Sequence, residues 1–158
     1  MLRNDIKRKE GFTIIEVLIV LAIAGLILLI VFLAVPALQR NSRNTAMKND
    51  VQNVVGGIGE FQSANNGTLP TSVTTGTTGD GVVTYSRSGG NTTTIKIQGT
   101  TSVESSQNAP QASTPEQGTI RIHLGFKCDA ASTRSPRAIA AIYTIETSSG
   151  AVRQCQES

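Results

Sequence analysis

Hydrophobic positions fall into three regimes along the chain. From Val17 to Val35 there are 19 residues with no charged or strongly polar group. At 1.5 Å per residue this run spans about 29 Å, the thickness of a bilayer's hydrocarbon core. Next, Val51, Val54, Val55, Ile58 and Phe61 recur at helical spacing, with Asp50, Gln52, Asn53, Glu60 and Gln62 between them. That is an amphipathic helix with one packing face, which Leu38 and Met47 would extend toward the apolar run. Asn65-Asn66-Gly67 supplies a left-handed stop, and Pro70 follows. One helix from about Phe12 to Asn65 would be about 80 Å long and would protrude from its domain. Gly25 and Pro36 interrupt it, and Pro36 should kink it. Gly56, Gly57 and Gly59 predict either a close approach of a sheet or a local irregularity.

The last regime is polar with short strands. Of the 57 residues from Ser63 to Thr119, 34 are Ser, Thr, Gly or Asn. Such a segment buries little apolar surface, so part of it is expected to be loop or disordered. Val82–Arg87 and Thr92–Gln98 flank Ser88-Gly89-Gly90-Asn91 and read as a hairpin; residues 99–118 read as loop. Ile120, Ile122, Leu124 and Phe126 alternate with Arg121, His123, Gly125 and Lys127, which predicts a strand with one wet face carrying His123. Ala138–Thr147 is a second strand, and Ser148-Ser149-Gly150 turns the chain into Ala151–Cys155. The expected fold class is α+β: a long protruding N-terminal helix packed on a small antiparallel β-sheet.

Composition excludes several classes. Charged residues are 16% and aromatics 4%, with no Trp, unlike an average soluble α/β enzyme. A single apolar stretch excludes a polytopic membrane protein. The net charge is +3, but residues 1–11 alone carry +2 through Arg3, Lys7, Arg8 and Lys9 against Asp5 and Glu10. The remaining chain is nearly neutral, so the basic balance is no argument for nucleic-acid binding. The basic residues before the run predict a cytoplasmic N-terminus, with the chain beyond about residue 37 outside. A cleavable secretory signal would need a small-x-small site after the run, and Ala34-Val35-Pro36 is a poor one. A plain anchor does not explain Glu16, since a carboxylate at membrane depth costs roughly 2.5–3.5 kcal/mol unless it finds a partner, the interface or a helix cap.

Gly11-Phe12-Thr13-Ile14-Ile15-Glu16, behind a short charged leader and ahead of an apolar run, resembles the class III signal of type IV prepilins and pseudopilins. The close resemblance covers roughly residues 7–66, with a family-like layout beyond. It implies cleavage between Gly11 and Phe12 by a membrane prepilin peptidase, and N-methylation of Phe12. It implies that Glu16 is the carboxylate used in filament assembly. Physically, Glu16 beside lipid and the α-amine of a neighbouring subunit's Phe12 would neutralise each other and fix the axial register. It implies that Gly25 and Pro36 mark where the helix loosens on assembly; Pro36 comes about one turn later than usual. The organisation implied is a cleaved leader (1–11), a membrane and filament-core helix (12–36), an amphipathic helix on the globular domain (37–66) and a Ser/Thr/Gly-rich β domain (67–158).

Cys128 and Cys155 both fall on the outer side, where an even pair suggests one disulfide; two free buried thiols are the alternative. Many pilins close a C-terminal loop of this kind, which adds weight to the bridge. No catalytic or cofactor motif is present: one histidine, no GxSxG, no Walker A, no HExxH and no zinc spacing. Arg134, Arg137 and Lys127 form at most a small basic patch, so support for DNA as a partner is weak. The expected function is the major subunit of a type IV pilus, serving adhesion, twitching motility or DNA uptake. Its partners would be further copies of itself, the inner-membrane assembly platform, the prepilin peptidase, the membrane before assembly and a surface receptor. The location would be a single-pass cytoplasmic-membrane precursor and then an extracellular filament. The alternatives are a minor pilin or pseudopilin of a secretion or competence system, and an uncleaved membrane-anchored binding protein.

Overall fold

The computed structural model describes residues 11–75, 80–98, 101–110, 114–129 and 131–158. The basic leader residues and most of Gly76–Gly81 therefore lie outside the described residues. The chain divides into two units, Met1–Gln39 and Arg40–Ser158.

One helix is assigned from Ile14 to Ala64 (α1), and Gly25 and Pro36 lie inside it without ending it; Pro36, having no N–H, leaves one rung of the ladder unmade. In the first unit its apolar side chains are exposed throughout; Leu38 is 71% exposed and does not extend the packing stripe. In the second unit the face Met47, Asp50, Val51, Val54, Val55, Gly57, Ile58 and Phe61 is buried, at the spacing the sequence predicts. The helix ends as expected. Asn66 (φ 54) and Gly67 (φ 75) take the left-handed conformation, and the Gly67 N–H donates back to the Gln62 carbonyl at 2.7 Å.

Among the described residues seven strands follow: β1 (Ser72–Thr75), β2 (Val82–Ser86), β3 (Thr93–Lys96), β4 (Ser102–Ser106), β5 (Thr119–Phe126), β6 (Arg134–Thr147) and β7 (Gly150–Glu157). They form two sheets, an antiparallel β1-β2-β3 and a mixed β4-β5-β6-β7. The expected β2–β3 hairpin is present, with Val83 opposite Ile95. Both sheets contribute to one core with the helix: Val73, Val83 and Tyr85 from one, Ile120, Ile122, Leu124, Ile139, Ala141 and Tyr143 from the other. Each large apolar side chain removed from water there contributes about 1.5–3 kcal/mol.

Three expectations are corrected. The sheet is not a single antiparallel meander. Residues 99–118 are not all loop, because Ser102–Ser106 forms β4, parallel to β5 with Val103 opposite Ile120. A parallel pair needs a crossover, and its described residues Asn108 and Pro115 lie over the face of the sheet opposite the helix-facing core. Finally, His123 is not on a wet face. The crossover covers it, leaving it 3% exposed with Nδ1 2.8 Å from the Asn108 carbonyl. On the same covered face the Thr144 hydroxyl donates to the Pro115 carbonyl at 2.8 Å.

Strand β6 begins earlier than Ala138 but is irregular there. Leu124 pairs with Ile139 and Phe126 with Arg134, so Gly125 alone opposes residues 135–138. Gly125 sits at φ +81 and Pro136 has no N–H to give the ladder, so this is where the register breaks.

Candidate functional site

The N-terminal element begins with a cap. Thr13 precedes the first helical residue, its hydroxyl accepts the Glu16 N–H at 3.4 Å, and its carbonyl accepts the Val17 N–H at 3.3 Å. Thr13-x-x-Glu16 is the capping-box spacing, a signal readable in the sequence. The cap starts the helix directly after Phe12. Gly11 and Phe12 lie in exposed, non-helical chain, as a peptide bond open to a peptidase requires. Glu16 is exposed one turn inside the helix, a rise of about 6 Å from Phe12. Its carboxylate makes no hydrogen bond or ion pair among the described residues. Around it the helix is all apolar: an 18-residue window reaches a mean hydropathy of 3.4 with none of it buried. Gly25 and Pro36 both lie within this helix.

A family model for the prokaryotic N-terminal methylation motif matches residues 6–32. That segment is a type IV pilin class III signal peptide. The motif is the one found on type IV pilin-like and pseudopilin precursors, and together with the apolar helix it points to a membrane-anchored precursor. The motif implies self-assembly and processing by a prepilin peptidase, and it speaks for a structural subunit rather than an enzyme. Comparisons with curated proteins and with solved structures returned no match.

In the second unit several polar contacts tie the helix to its sheets. Arg43 forks onto Glu146 of β6, with Nε and Nη2 each 2.6 Å from a carboxylate oxygen. The Arg43 hydrogen bond holds the Glu146 carboxyl below its usual range, and the same bond raises Arg43. The Asn44 side chain donates to the Glu146 carbonyl and accepts the Glu146 N–H, both at 2.7 Å, as a neighbouring strand would. Asp50, 2% exposed, accepts the Gln98 N–H at 3.0 Å and the Thr101 hydroxyl at 2.5 Å. The Tyr85 hydroxyl donates to the Val54 carbonyl at 3.0 Å, and burial pushes that hydroxyl well above the ordinary tyrosine range, so it stays protonated. None of these partners was legible from spacing, since each pairs residues far apart in the chain.

Cys128 and Cys155 form a disulfide with a Cα–Cα separation of 5.8 Å, which ties the loop after β5 to β7. The Cys128 N–H also donates to the Glu157 carboxylate at 3.3 Å. No cluster of three or more His, Cys, Asp or Glu suited to a metal occurs among the described residues. Of the basic residues named for a patch, Arg134 lies over the Phe126 ring at 5.2 Å and Arg137 lies against Gly67.

Proposed function

We propose that this chain is the major subunit of a type IV pilus, polymerising through its N-terminal helix into a surface filament for adhesion, twitching motility or DNA uptake. The observation that carries the reading is the conjunction at the N-terminus. A carboxylate without a partner among the described residues stands one turn from the motif's cut site, on an apolar helix with no burial of its own. In the precursor, lipid covers that helix and Glu16 is a cost. In a polymer, neighbouring helices cover it, and the methylated α-amine of a neighbour's Phe12 meets Glu16. The charge pair selects one axial register out of many that apolar packing alone would tolerate.

The leader 1–11 is removed, 12–36 forms the filament core, 37–66 packs on the globular part, and 67–158 faces outward. Gly25 and Pro36 are the places where the core helix yields during packing. Assembly energy comes from outside the chain, through an inner-membrane platform.

Glu16→Ala tests the assignment. Membrane insertion and leader removal should persist, because the apolar run and the cut site are intact. Filaments recovered by shearing should fall to a small fraction of the wild-type yield. A normal filament yield from processed Glu16→Ala would overturn the role.

A further inference from the structure

A groove of about 580 Å³ opens where the two sheets meet the Leu69–Thr71 segment. Leu69, Pro70 and Pro136 line it with apolar groups, Leu124 reaches it from the core, and Arg87 and Arg134 line it too. No acidic residue lines it, and neither arginine is in an ion pair among the described residues. The register break at Gly125 builds one wall: four residues of β6, carrying Ser135 and Pro136, bow outward opposite that single glycine. Arg134 is held over the Phe126 ring, so its fork is partly pre-ordered.

We infer that this groove binds an acidic sugar, the carboxylated unit of a surface polysaccharide, which names a ligand class for the adhesive role and rests on that reading. Two unpaired guanidinium groups with no competing acid select a carboxylate, which arginine engages in a bidentate fork. The Ser135 hydroxyl and the Gln107 side-chain carbonyl, both at the rim, are free to meet sugar hydroxyls. The leucine and proline surfaces suit the C–H faces of a pyranose ring. The volume lies within the usual range of small-ligand sites. Nucleic acid fits less well. No exposed aromatic lines the groove to stack a base, Phe126 being covered by Arg134.

The test uses the full-length chain in detergent, passed over immobilised polygalacturonate, neutral dextran and double-stranded DNA. Arg87→Gln/Arg134→Gln is compared with Arg153→Gln, which removes a charge on exposed β7. The expected result is retention on polygalacturonate but not dextran, weaker retention on DNA, loss of at least about tenfold in affinity for the double variant, and no change for Arg153→Gln. Arg134→Lys keeps the charge without the fork and should also weaken binding, which covers misfolding of the double variant. The inference is overturned by equal losses in the double variant and Arg153→Gln, by preference for DNA, or by no retention on polygalacturonate. Loss of filaments in the double variant without any polygalacturonate binding by the wild type would make the groove a contact between subunits. Glu16→Ala should bind polygalacturonate normally, so failure of the filament reading and failure of this one give different results.

Discussion

Adding one methyl group at Gly57 should destabilise the globular unit, while the same change one residue earlier should stabilise it. A β-carbon at Gly57 would lie 2.7 Å from the Tyr85 hydroxyl oxygen, 2.8 Å from Tyr85 Cε2 and 2.9 Å from Ile95 Cγ2. All three are closer than such atoms can approach, and the Tyr85 ring is fully buried, so it has nowhere to swing. Overpacking of this kind costs about 1–3 kcal/mol. Displacing the hydroxyl from the Val54 carbonyl adds about 0.5–1.5 kcal/mol. Replacing a helical glycine by alanine returns at most about 1 kcal/mol. Gly57→Ala should therefore come out about 0.5–4.5 kcal/mol less stable. At Gly56 and Gly59 a β-carbon meets nothing within 4 Å, so only the helical gain of up to about 1 kcal/mol remains. Thermal melts by circular dichroism would read this directly, since each kcal/mol moves the midpoint of a domain this size by roughly 4 °C. A Gly57→Ala midpoint at or above that of Gly56→Ala would refute the close approach of helix and sheet.

Other consequences follow from single contacts. Reducing the Cys128–Cys155 bridge should cost roughly 3.5 kcal/mol on the chain-entropy view, and hydrogen exchange should show β7 losing protection first. Asn44→Ala removes two hydrogen bonds to the Glu146 backbone and should cost about 1–2 kcal/mol in a denaturant titration. Burial lowers the His123 pKa, with Arg121 and Arg153 acting in the same direction and only the Asn108 carbonyl opposing. The unfolded chain then binds the proton more readily than the folded one. Stability contributed by neutral His123 is complete above its ordinary value near 6.5 and falls as the pH drops below it. Melts stepped downward from pH 7.5 should show this decline, and His123→Gln should flatten it.

Much of the helix and two of its signals are readable from the residues alone. The apolar run, the 3.6-residue stripe from Met47 to Phe61 and the Asn66-Gly67 stop depend on local chemistry, which spacing reports. Strand β4 does not: in Ser102–Ser106 only Val103 is apolar, and the strand exists because β5 offers it a parallel ladder. His123 reads as solvent-facing because alternation assigns it to a polar face, and nothing local says that Asn108 lies against that face. The glycine alternative at 56–59 resolves at one residue. Gly57 faces Tyr85, and its neighbours face open space. At the N-terminus the methylation motif is legible because it is a short contiguous pattern, matched over residues 6–32. The Thr13 cap was equally legible from its spacing to Glu16. The Arg43–Glu146 and Asn44–Glu146 contacts join residues about a hundred positions apart and carry no sequence pattern.

The most direct measurement is mass spectrometry of the N-terminal peptide from material sheared off the cell surface. An abundant peptide beginning at N-methylated Phe12 is the predicted result, if the chain is cut after Gly11 and polymerises as proposed, with the methylation motif matching residues 6–32. An intact Met1 peptide, or no such protein in the sheared fraction, would contradict it.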